Sequence, residues 1–406
     1  MKKISLIVTL VVIAGIVWYL ESMKVHPTAG IGNGAPQAIN LPSENSSTAV
    51  SPTANANTSS NAAAIESLSM IAAADKKAGY EPAIEIADPT GFVNVSSTFR
   101  LSDLIGKKVV LVDFWTYSCI NCIRTLPYLT SWYEKYKDQG FVIVGVHTPE
   151  FDFEKDINNV QAAAKQYGIH YPIVLDSNYG TWQAYGNLYW PHEYLIDIAG
   201  YIVHDHIGEG SYDETEGIIQ KLLQERATAL GSATAVATST VNVKPASLSG
   251  VASPETYFGA ARNEFLANGS PSTPGTQVLE EPQSIDLNKL YLVGSWNFED
   301  QYATNNESGA KIIYKYHSAK VFFVASGVPS GTIVKVMQDG KPVADVAGSD
   351  VVNGKMTITS SRLYNVIANH DPACKDDGSC SPVSGEHTLE LIIDSPGLQA
   401  FTFTFG

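Results

Sequence analysis

The stretch Val109-Val-Leu-Val-Asp-Phe-Trp-Thr-Tyr-Ser-Cys-Ile-Asn-Cys122 decides the fold of the first domain. Its first seven residues are apolar except for Asp113, a composition typical of a buried strand. A Cys-x-x-Cys pair follows at once, and the periodicity then changes to that of a helix over residues 120–137. A cysteine pair between a buried strand and a helix predicts thiol redox chemistry.

The helix position explains why the two cysteines have different roles. The unpaired N–H groups and the dipole of a helix N-terminus stabilise a thiolate on Cys119. That thiolate attacks a disulfide of a partner, and Cys122, one turn further along, resolves the mixed disulfide. A zinc site is the alternative, but no second Cys-x-x-Cys or Cys-x-x-His lies nearby. We therefore expect neither a metal nor a cofactor.

Asp113 is the second candidate, because a carboxyl group inside an apolar strand is costly without a task or a partner. We expect it to exchange a proton with Cys122 and its pKa to be raised by desolvation. The alternative is an ordinary buried polar group. Trp115 and Tyr117 are predicted to support the site. Pro191 directly precedes the predicted strand 193–198, a position where a residue without an N–H is tolerated.

Elements that alternate along residues 80–229 predict a mixed α/β sheet covered by helices. After the first strand and helix, the pattern predicts strands at 141–146, 171–175, 193–198 and 201–206, and helices at 154–167, 179–185 and 213–229. His204 and His206 share one face of the last strand and are predicted to form a polar face without a metal.

Residues 286–406 change in character to a succession of short strands. The pattern predicts strands at 289–298, 310–317, 320–325, 332–338, 355–359, 388–393 and 400–405, with Asp339-Gly340 as a hairpin turn. The last strand alternates, which places Phe401, Phe403 and Phe405 on one face. We therefore predict an all-β sandwich of the jelly-roll kind.

The remaining segments are predicted to connect these domains and to export them. In residues 1–25, Lys2 and Lys3 precede an uncharged run from Ile4 to Leu20, which predicts a single-pass transmembrane helix with a cytoplasmic N-terminus; a cleaved signal peptide is the alternative. Residues 26–79 predict a flexible linker, and residues 230–285 a second linker. Its amphipathic segment, 254–267, offers Tyr257, Phe258 and Phe265 for docking on a folded domain.

Length and charge limit the function further. A chain of 406 residues suits two globular units, and a net charge of −15 opposes a nucleic-acid partner. Of the four cysteines, Cys374 and Cys380 enclose a short loop, and a local disulfide is expected in an exported protein. A calcium loop built on Asp371, Asp376 and Asp377 is the alternative.

Residues 80–229 resemble the extracytoplasmic TlpA/ResA-like branch of the thioredoxin superfamily. Within this branch, the cysteine stretch, Gly145-Val-His-Thr-Pro-Glu150 and Tyr189-Trp-Pro-His-Glu-Tyr-Leu-Ile-Asp197 look like the thioredoxin-like domain of DipZ-type proteins. The resemblance implies a cis peptide bond before Pro191, opposite the cysteines, with Trp190 beside it.

The last domain is similar to the carbohydrate-binding-like domain of DipZ-type proteins, through Ser253-Pro-Glu-Thr-Tyr-Phe-Gly259, Arg362-Leu-Tyr364 and the C-terminal Phe-Thr-Phe-Gly. In those proteins a polytopic CcdA-like electron carrier precedes the two domains. This chain has one apolar span, so the resemblance implies a separate CcdA-like membrane electron donor.

Three functions compete at this point. The favoured one is an extracytoplasmic, membrane-anchored thiol–disulfide oxidoreductase that reduces or exchanges disulfides in exported proteins, with cytochrome c maturation as one setting. A peroxiredoxin-like peroxidase is opposed by the lack of a Pro-x-x-x-Thr-x-x-Cys loop. A cell-surface glycan-binding protein with an accessory redox domain would need exposed rings on the β domain. Candidate rings are Trp296, Phe298, Tyr302, Tyr314, Tyr316 and Tyr364. We expect the β domain to recruit partners and to stay out of electron transfer.

Overall fold

The computed structural model describes residues 79–232, 235–246, 250–370 and 381–406. The predicted transmembrane segment, almost all of the first linker, and the Cys374–Cys380 loop with its aspartates lie outside these ranges. Within them, no helix combines the length and the apolar character needed to cross a membrane.

The first domain is built on a six-stranded sheet in the order β1-β4-β3-β2-β5-β6. Its strands are β1 (Gly91–Val93), β2 (Val109–Trp115), β3 (Phe141–His147), β4 (Ile173–Leu175), β5 (His192–Ile196) and β6 (Ile202–Ile207). Strands β2 and β3 are parallel and entirely buried, and β5 runs antiparallel to β2. The cysteine motif therefore leaves the sheet at the end of a central strand.

Four α-helices surround this sheet: α1 (Ile120–Tyr136), α2 (Ile157–Gln166), α3 (Gly180–Ala184) and α4 (Tyr212–Ala229). Short 3₁₀ turns occupy Leu101–Leu104, Lys137–Gln139 and Asp152–Lys155. Leu111 and Trp115 of β2 pack in one core with helices α1 and α4, whereas Val110 and Val112 pack in a second core on the other face. This mixed six-stranded sheet covered by helices confirms the predicted α/β domain.

The second predicted linker is more ordered than we expected. Val236, Val241 and Val243 pack against the core of the first domain, and the Ala237 N–H donates to Gln139. Two strands inside the predicted linker, β7 (Thr256–Tyr257) and β8 (Gly275–Leu279), pair with strands of the β domain. The sequence missed them because β7 is only two residues long and β8 lies among Gly, Ser, Pro and Thr residues.

Over the described residues, the β domain contains eleven further strands, and its named pairings are all antiparallel. They are β9 (Leu290–Phe298), β10 (Ala303–Asn305), β11 (Lys311–Ser318), β12 (Lys320–Ser326), β13 (Thr332–Gln338), β14 (Lys341–Pro342), β15 (Val351–Val352), β16 (Lys355–Ile358), β17 (Arg362–Ala368), β18 (Gly385–Ile393) and β19 (Gln399–Phe405). The all-β character of this domain is confirmed.

Strand β9 belongs to two parts of this sheet system. Residues 290–293 pair with β11, whereas residues 296–298 pair with β10. Gly294 lies between them with a φ of +96°, a conformation that L side chains rarely adopt. The two parts enclose one core, in which Leu292 and Leu391 pack with Phe323 and Phe403.

One strand departs from the predicted alternation. The pairing of β12 with β19 shifts register between Val324 and Ala325, so Phe401 is an extra residue in the ladder. Phe403 and Phe405 face the β-domain core, whereas Phe401 packs on Phe151 of the first domain, with ring centroids 5.0 Å apart. The prediction that the three rings share a face was therefore wrong at Phe401.

Candidate active site

The two cysteines of the motif have clearly different environments. Cys119 is the N-cap of α1 and is partly exposed, whereas the Cys122 side chain is 1% exposed. The Cys119 sulfur accepts a hydrogen bond from the Cys122 backbone N–H at 3.4 Å. Burial and the neighbouring Cys119 raise the pKa of the Cys122 thiol well above its usual range. Cys119 is thus the accessible sulfur, and Cys122 must lose its proton in an apolar interior.

Asp113 lies on the same face of β2 as Leu111 and Trp115, which pack with Cys122. Its side chain is 1% exposed, and neither carboxyl oxygen has a hydrogen-bond partner. Burial raises its pKa to about 8. A carboxyl group that titrates near neutrality, beside a buried thiol, can take and return a proton.

The peptide bond between Trp190 and Pro191 is cis. The Trp190 indole N–H donates to the Thr148 carbonyl at 3.1 Å, and its ring centre lies 4.2 Å from that of Trp182. These contacts fix the Trp190 ring in the wall of the cavity at Cys119. The Trp190 ring and the Cys119 sulfur therefore line the same cavity.

The two predicted supporting residues lie behind the cysteines. Trp115 is fully buried with its edge toward His147, and Tyr117 stacks on the same imidazole at 5.6 Å. The Tyr117 hydroxyl lies 3.4 Å from the carbonyls of Phe153 and of Ser361, the latter in the β domain. Tyr117 therefore contacts both domains from within the cysteine motif.

A cavity of about 290 Å³ opens at Cys119, and both domains line it. The first domain contributes Cys119, Ile120, Asn121, Glu150 and Trp190, and the second part of the chain contributes Ser253, Glu255, Tyr257, Arg262, Thr404 and Phe405. We expected the β domain to recruit partners and to take no part in electron transfer. In the described residues it forms one wall of the cavity, and none of its lining side chains is redox-active.

The wall is held in place by polar and aromatic contacts. Arg262 forms an ion pair of 2.7 Å with Glu150, and the Tyr257 hydroxyl donates to the same carboxylate at 2.9 Å. The Arg262 guanidinium lies 3.7 Å from the centre of the Tyr257 ring. The predicted docking of segment 254–267 is thereby confirmed, and Phe151 with Phe401 adds the apolar part of the contact.

Comparisons with known proteins agree with this site. The AhpC/TSA family matches residues 82–205, and the family described as thioredoxin like C-terminal domain matches residues 253–406. Thiol-disulfide oxidoreductase ResA of Bacillus thuringiensis is 32% identical over 133 residues, which cover 30% of this chain and 74% of ResA. This chain belongs to the thioredoxin-like thiol–disulfide oxidoreductases.

Other members of the family match over different extents. Protein DipZ of Mycobacterium tuberculosis is 38% identical over 319 residues, or 78% of this chain and 42% of DipZ. Thiol-disulfide oxidoreductase YkuV of Bacillus subtilis is 29% identical over 145 residues, or 36% of this chain and 96% of YkuV. This oxidoreductase spans about two fifths of the length of the DipZ proteins that it matches.

Sequence reasoning missed two buried acids of this oxidoreductase. Glu193 lies opposite Asp113 on β5, is 2% exposed, and has no hydrogen-bond partner. Glu154 accepts the Ser118 hydroxyl at 2.5 Å and the N–H groups of Glu150 and Phe151 at 2.6 and 2.9 Å. Burial raises the Glu154 pKa to about 7. An acid within the apolar run His-Glu-Tyr-Leu-Ile was the available signal for Glu193.

The structure gives less support to the other candidate binding sites. No group of three or more metal-ligating side chains occurs among the described residues, and His204 and His206 share a face as predicted. Five of the six candidate sugar-stacking rings are at most 1% exposed, so they pack in the core and present no face to a sugar. Those five are Trp296, Phe298, Tyr314, Tyr316 and Tyr364.

Proposed function

We propose that this oxidoreductase reduces or exchanges disulfides of exported proteins outside the cytoplasmic membrane, with Cys119 as nucleophile and Cys122 as resolving thiol. One observation carries the proposal: a partly exposed sulfur at a helix N-terminus lies in a cavity, one turn before a buried thiol. The uncharged run from Ile4 to Leu20 supports a membrane anchor with the domains outside.

The reaction begins when the Cys119 thiolate attacks one sulfur of the substrate disulfide. A bond forms between Cys119 and that sulfur, and the other substrate sulfur leaves as a thiolate. Cys122 then gives its proton to Asp113 and attacks Cys119, which releases the second substrate thiolate. The cysteine pair of the enzyme loses two electrons, and the substrate gains them. A CcdA-like membrane protein is the proposed donor that restores the dithiol.

The volume of the cavity and the charged groups on its rim indicate a class of substrate. Its volume accommodates one or two side chains, and its polar rim contains two carboxylates, Glu150 and Glu255, for the single guanidinium of Arg262. Burial raises the pKa of Glu255 to about 7, so above neutral pH the rim has an excess of negative charge, and we expect an extended segment that carries the disulfide near a basic residue. Apocytochrome c in its maturation is one candidate among exported proteins.

The test is a trapping experiment with the full chain. Cys122→Ser should accumulate mixed disulfides with exported proteins, because the first step occurs and the second cannot. Cys119→Ser is the matched control and should trap nothing. The proposal fails if Cys122→Ser forms no adduct sensitive to reductant, or if both variants trap the same proteins equally.

A further inference from the structure

Asp113 and Glu193 form a buried pair of acids, and the resolving step described above uses only Asp113. They are direct register partners on the adjacent strands β2 and β5. Leu111 and Trp115 on β2, and Leu195 on β5, pack in the core that includes Cys122, so both acids face that thiol. Directly opposite residues of such a pair have Cβ atoms about 5 Å apart, within reach of each other's carboxyl groups.

Apart from each other, these two acids have few groups nearby with which to form a hydrogen bond. None of their four carboxyl oxygens has a hydrogen-bond partner in the part of the chain that the structure describes. Orphaned polar atoms are uncommon in protein interiors, because each has given up the hydrogen bonds that it makes with water in the unfolded chain. A carboxylic acid and a carboxylate can satisfy each other, since one donates the hydrogen bond that the other accepts.

Neutral or titratable groups face the pair from every neighbouring element. Strand β3 presents Gly145 opposite Asp113, and a Cβ there would lie 3.3 Å from the Tyr171 ring and 2.9 Å from the Trp115 indole nitrogen. Strand β6 places His206 opposite Glu193, and its buried Nε2 has no partner. Helix α1 brings Cys122, and helix α4 brings Tyr212, whose pKa is raised by burial and, to a smaller extent, by Glu193.

Two adjacent negative charges would be very costly here. Burial and the Asp113 carboxylate together raise the Glu193 pKa well above its usual range, and burial alone raises that of Asp113 to about 8. The pair therefore loses its two protons in separate steps, and one acid stays protonated while the other is ionised.

We propose that Glu193 is the positioning partner of Asp113: it stays protonated and donates a hydrogen bond to the Asp113 carboxylate that accepts the Cys122 proton. When Cys122 attacks the mixed disulfide, its proton goes to Asp113, a sulfur–sulfur bond to Cys119 forms, and the substrate thiolate leaves. This inference rests on the proposed function of the cysteine pair. It adds that the base in the resolving step is tuned by an acid on the next strand.

The experiment separates the two chemical steps in one trace. Reduced full-length protein is mixed with excess chromogenic aromatic disulfide between about pH 5 and about pH 10, a range that includes the Asp113 pKa of about 8. Attack by Cys119 releases the first coloured thiolate, and attack by Cys122 on the mixed disulfide releases the second. A wild-type protein without a first phase would refute the proposed function itself, independently of Glu193.

Glu193→Met keeps the length of the side chain and removes the donor. Its first phase should match wild type, which also shows that the domain is folded. The pH midpoint of its second phase should rise by about one unit or more, because the Asp113 carboxylate has lost its hydrogen bond, and the rate at pH 7 should fall about tenfold. Glu193→Gln retains a neutral N–H donor and should stay within about threefold of wild type.

Two further variants make the result decisive. In an Asp113→Asn background, Glu193→Met should cause no additional slowing, because the carboxylate it serves is absent. Glu216→Gln removes another carboxyl group that is 1% exposed but contacts Lys135 and Tyr136, and it should leave the midpoint unchanged. The inference is overturned if Glu193→Met has the wild-type midpoint, if Gln is as slow as Met, or if the slowing persists without Asp113.

A direct titration guards against a folding defect in Glu193→Met. The carboxyl carbon signal of Asp113 can be followed by NMR in wild type and in Glu193→Gln, both with neutral residue 193. Its midpoint should agree within about half a pH unit between the two, and the Glu193 midpoint should fall by about one unit or more in Asp113→Asn. Unchanged titration of Glu193 without Asp113 would show that the two acids do not interact, and would reject the pair.

Discussion

Replacing Asp113 by Asn should stabilise the reduced protein, and the gain should depend on pH. The side chain is 1% exposed, and its two oxygens have no hydrogen-bond partner. Burial raises its pKa from the ordinary value of 3.8 to about 8. Between these values the folded state holds a proton that the unfolded state has released, so stability falls as the pH rises through this window. Asn has nearly the same shape and never ionises.

The size of the effect follows from the same shift. At pH 7 the unfolded chain is ionised and the folded chain is largely protonated, about three pH units above the ordinary pKa. At about 1.4 kcal/mol per unit, the wild type loses about 4 kcal/mol, which is the upper limit for the gain in Asp113→Asn. At about pH 4 the difference should fall below about 1 kcal/mol, since the unfolded chain is then only about half ionised, and it should vanish at lower pH, where both states carry the proton.

Denaturant unfolding of the full chain at several pH values measures this difference. Trp fluorescence reports mainly on the redox domain, which contains Trp115, Trp132, Trp182 and Trp190 of the six tryptophans. Asp138→Asn, at an exposed carboxyl, is the control and should show no trend with pH. A stability difference for Asp113→Asn that stays constant from about pH 4 to about pH 8 would refute the reasoning about burial.

Two other predictions concern the cysteines and the cavity wall. Alkylation of the reduced protein at mildly acidic pH should modify Cys119 at least about tenfold faster than Cys122, because Cys122 is buried and its pKa is raised. Peptide mapping measures the two labelling rates. Faster labelling of Cys122 would reverse the roles of the two cysteines. Arg262→Ala should lower kcat/KM for a protein disulfide by about tenfold while a small disulfide is reduced normally, because the wall loses its ion pair to Glu150. Lys311→Ala, outside the cavity, is the matched control, and equal losses with both substrates would contradict a role in recognition.

The local part of the site could be predicted from the sequence. Cys119, Cys122 and Asp113 lie within ten residues of each other, so one strand and the helix that follows it fix their relation. The cis bond before Pro191 followed from the resemblance of its motif. Strands β2 and β13 and helix α1 were also predicted nearly to the residue, because their apolar periodicity is long and uninterrupted.

The remainder depends on contacts between distant parts of the chain. Glu193 becomes part of the site only through the register of β5 against β2, which a single strand does not encode. Phe401 left its predicted face because of a one-residue bulge that arises in pairing with β12. Arg262 and Glu150 are 112 residues apart in the sequence, so no local pattern could predict their ion pair.

The segment from Glu150 to Glu154 is a connection whose length should not tolerate insertions or deletions. Surface connections are ordinarily where insertions and deletions accumulate, because few contacts depend on their length. Here Glu154 anchors Ser118 beside the nucleophile, while Phe151 and Glu150 hold the β domain. A single inserted residue would shift one of these attachments relative to the other. Sequence drift in relatives with both domains should therefore spare the length of this segment, although it carries none of the cysteines.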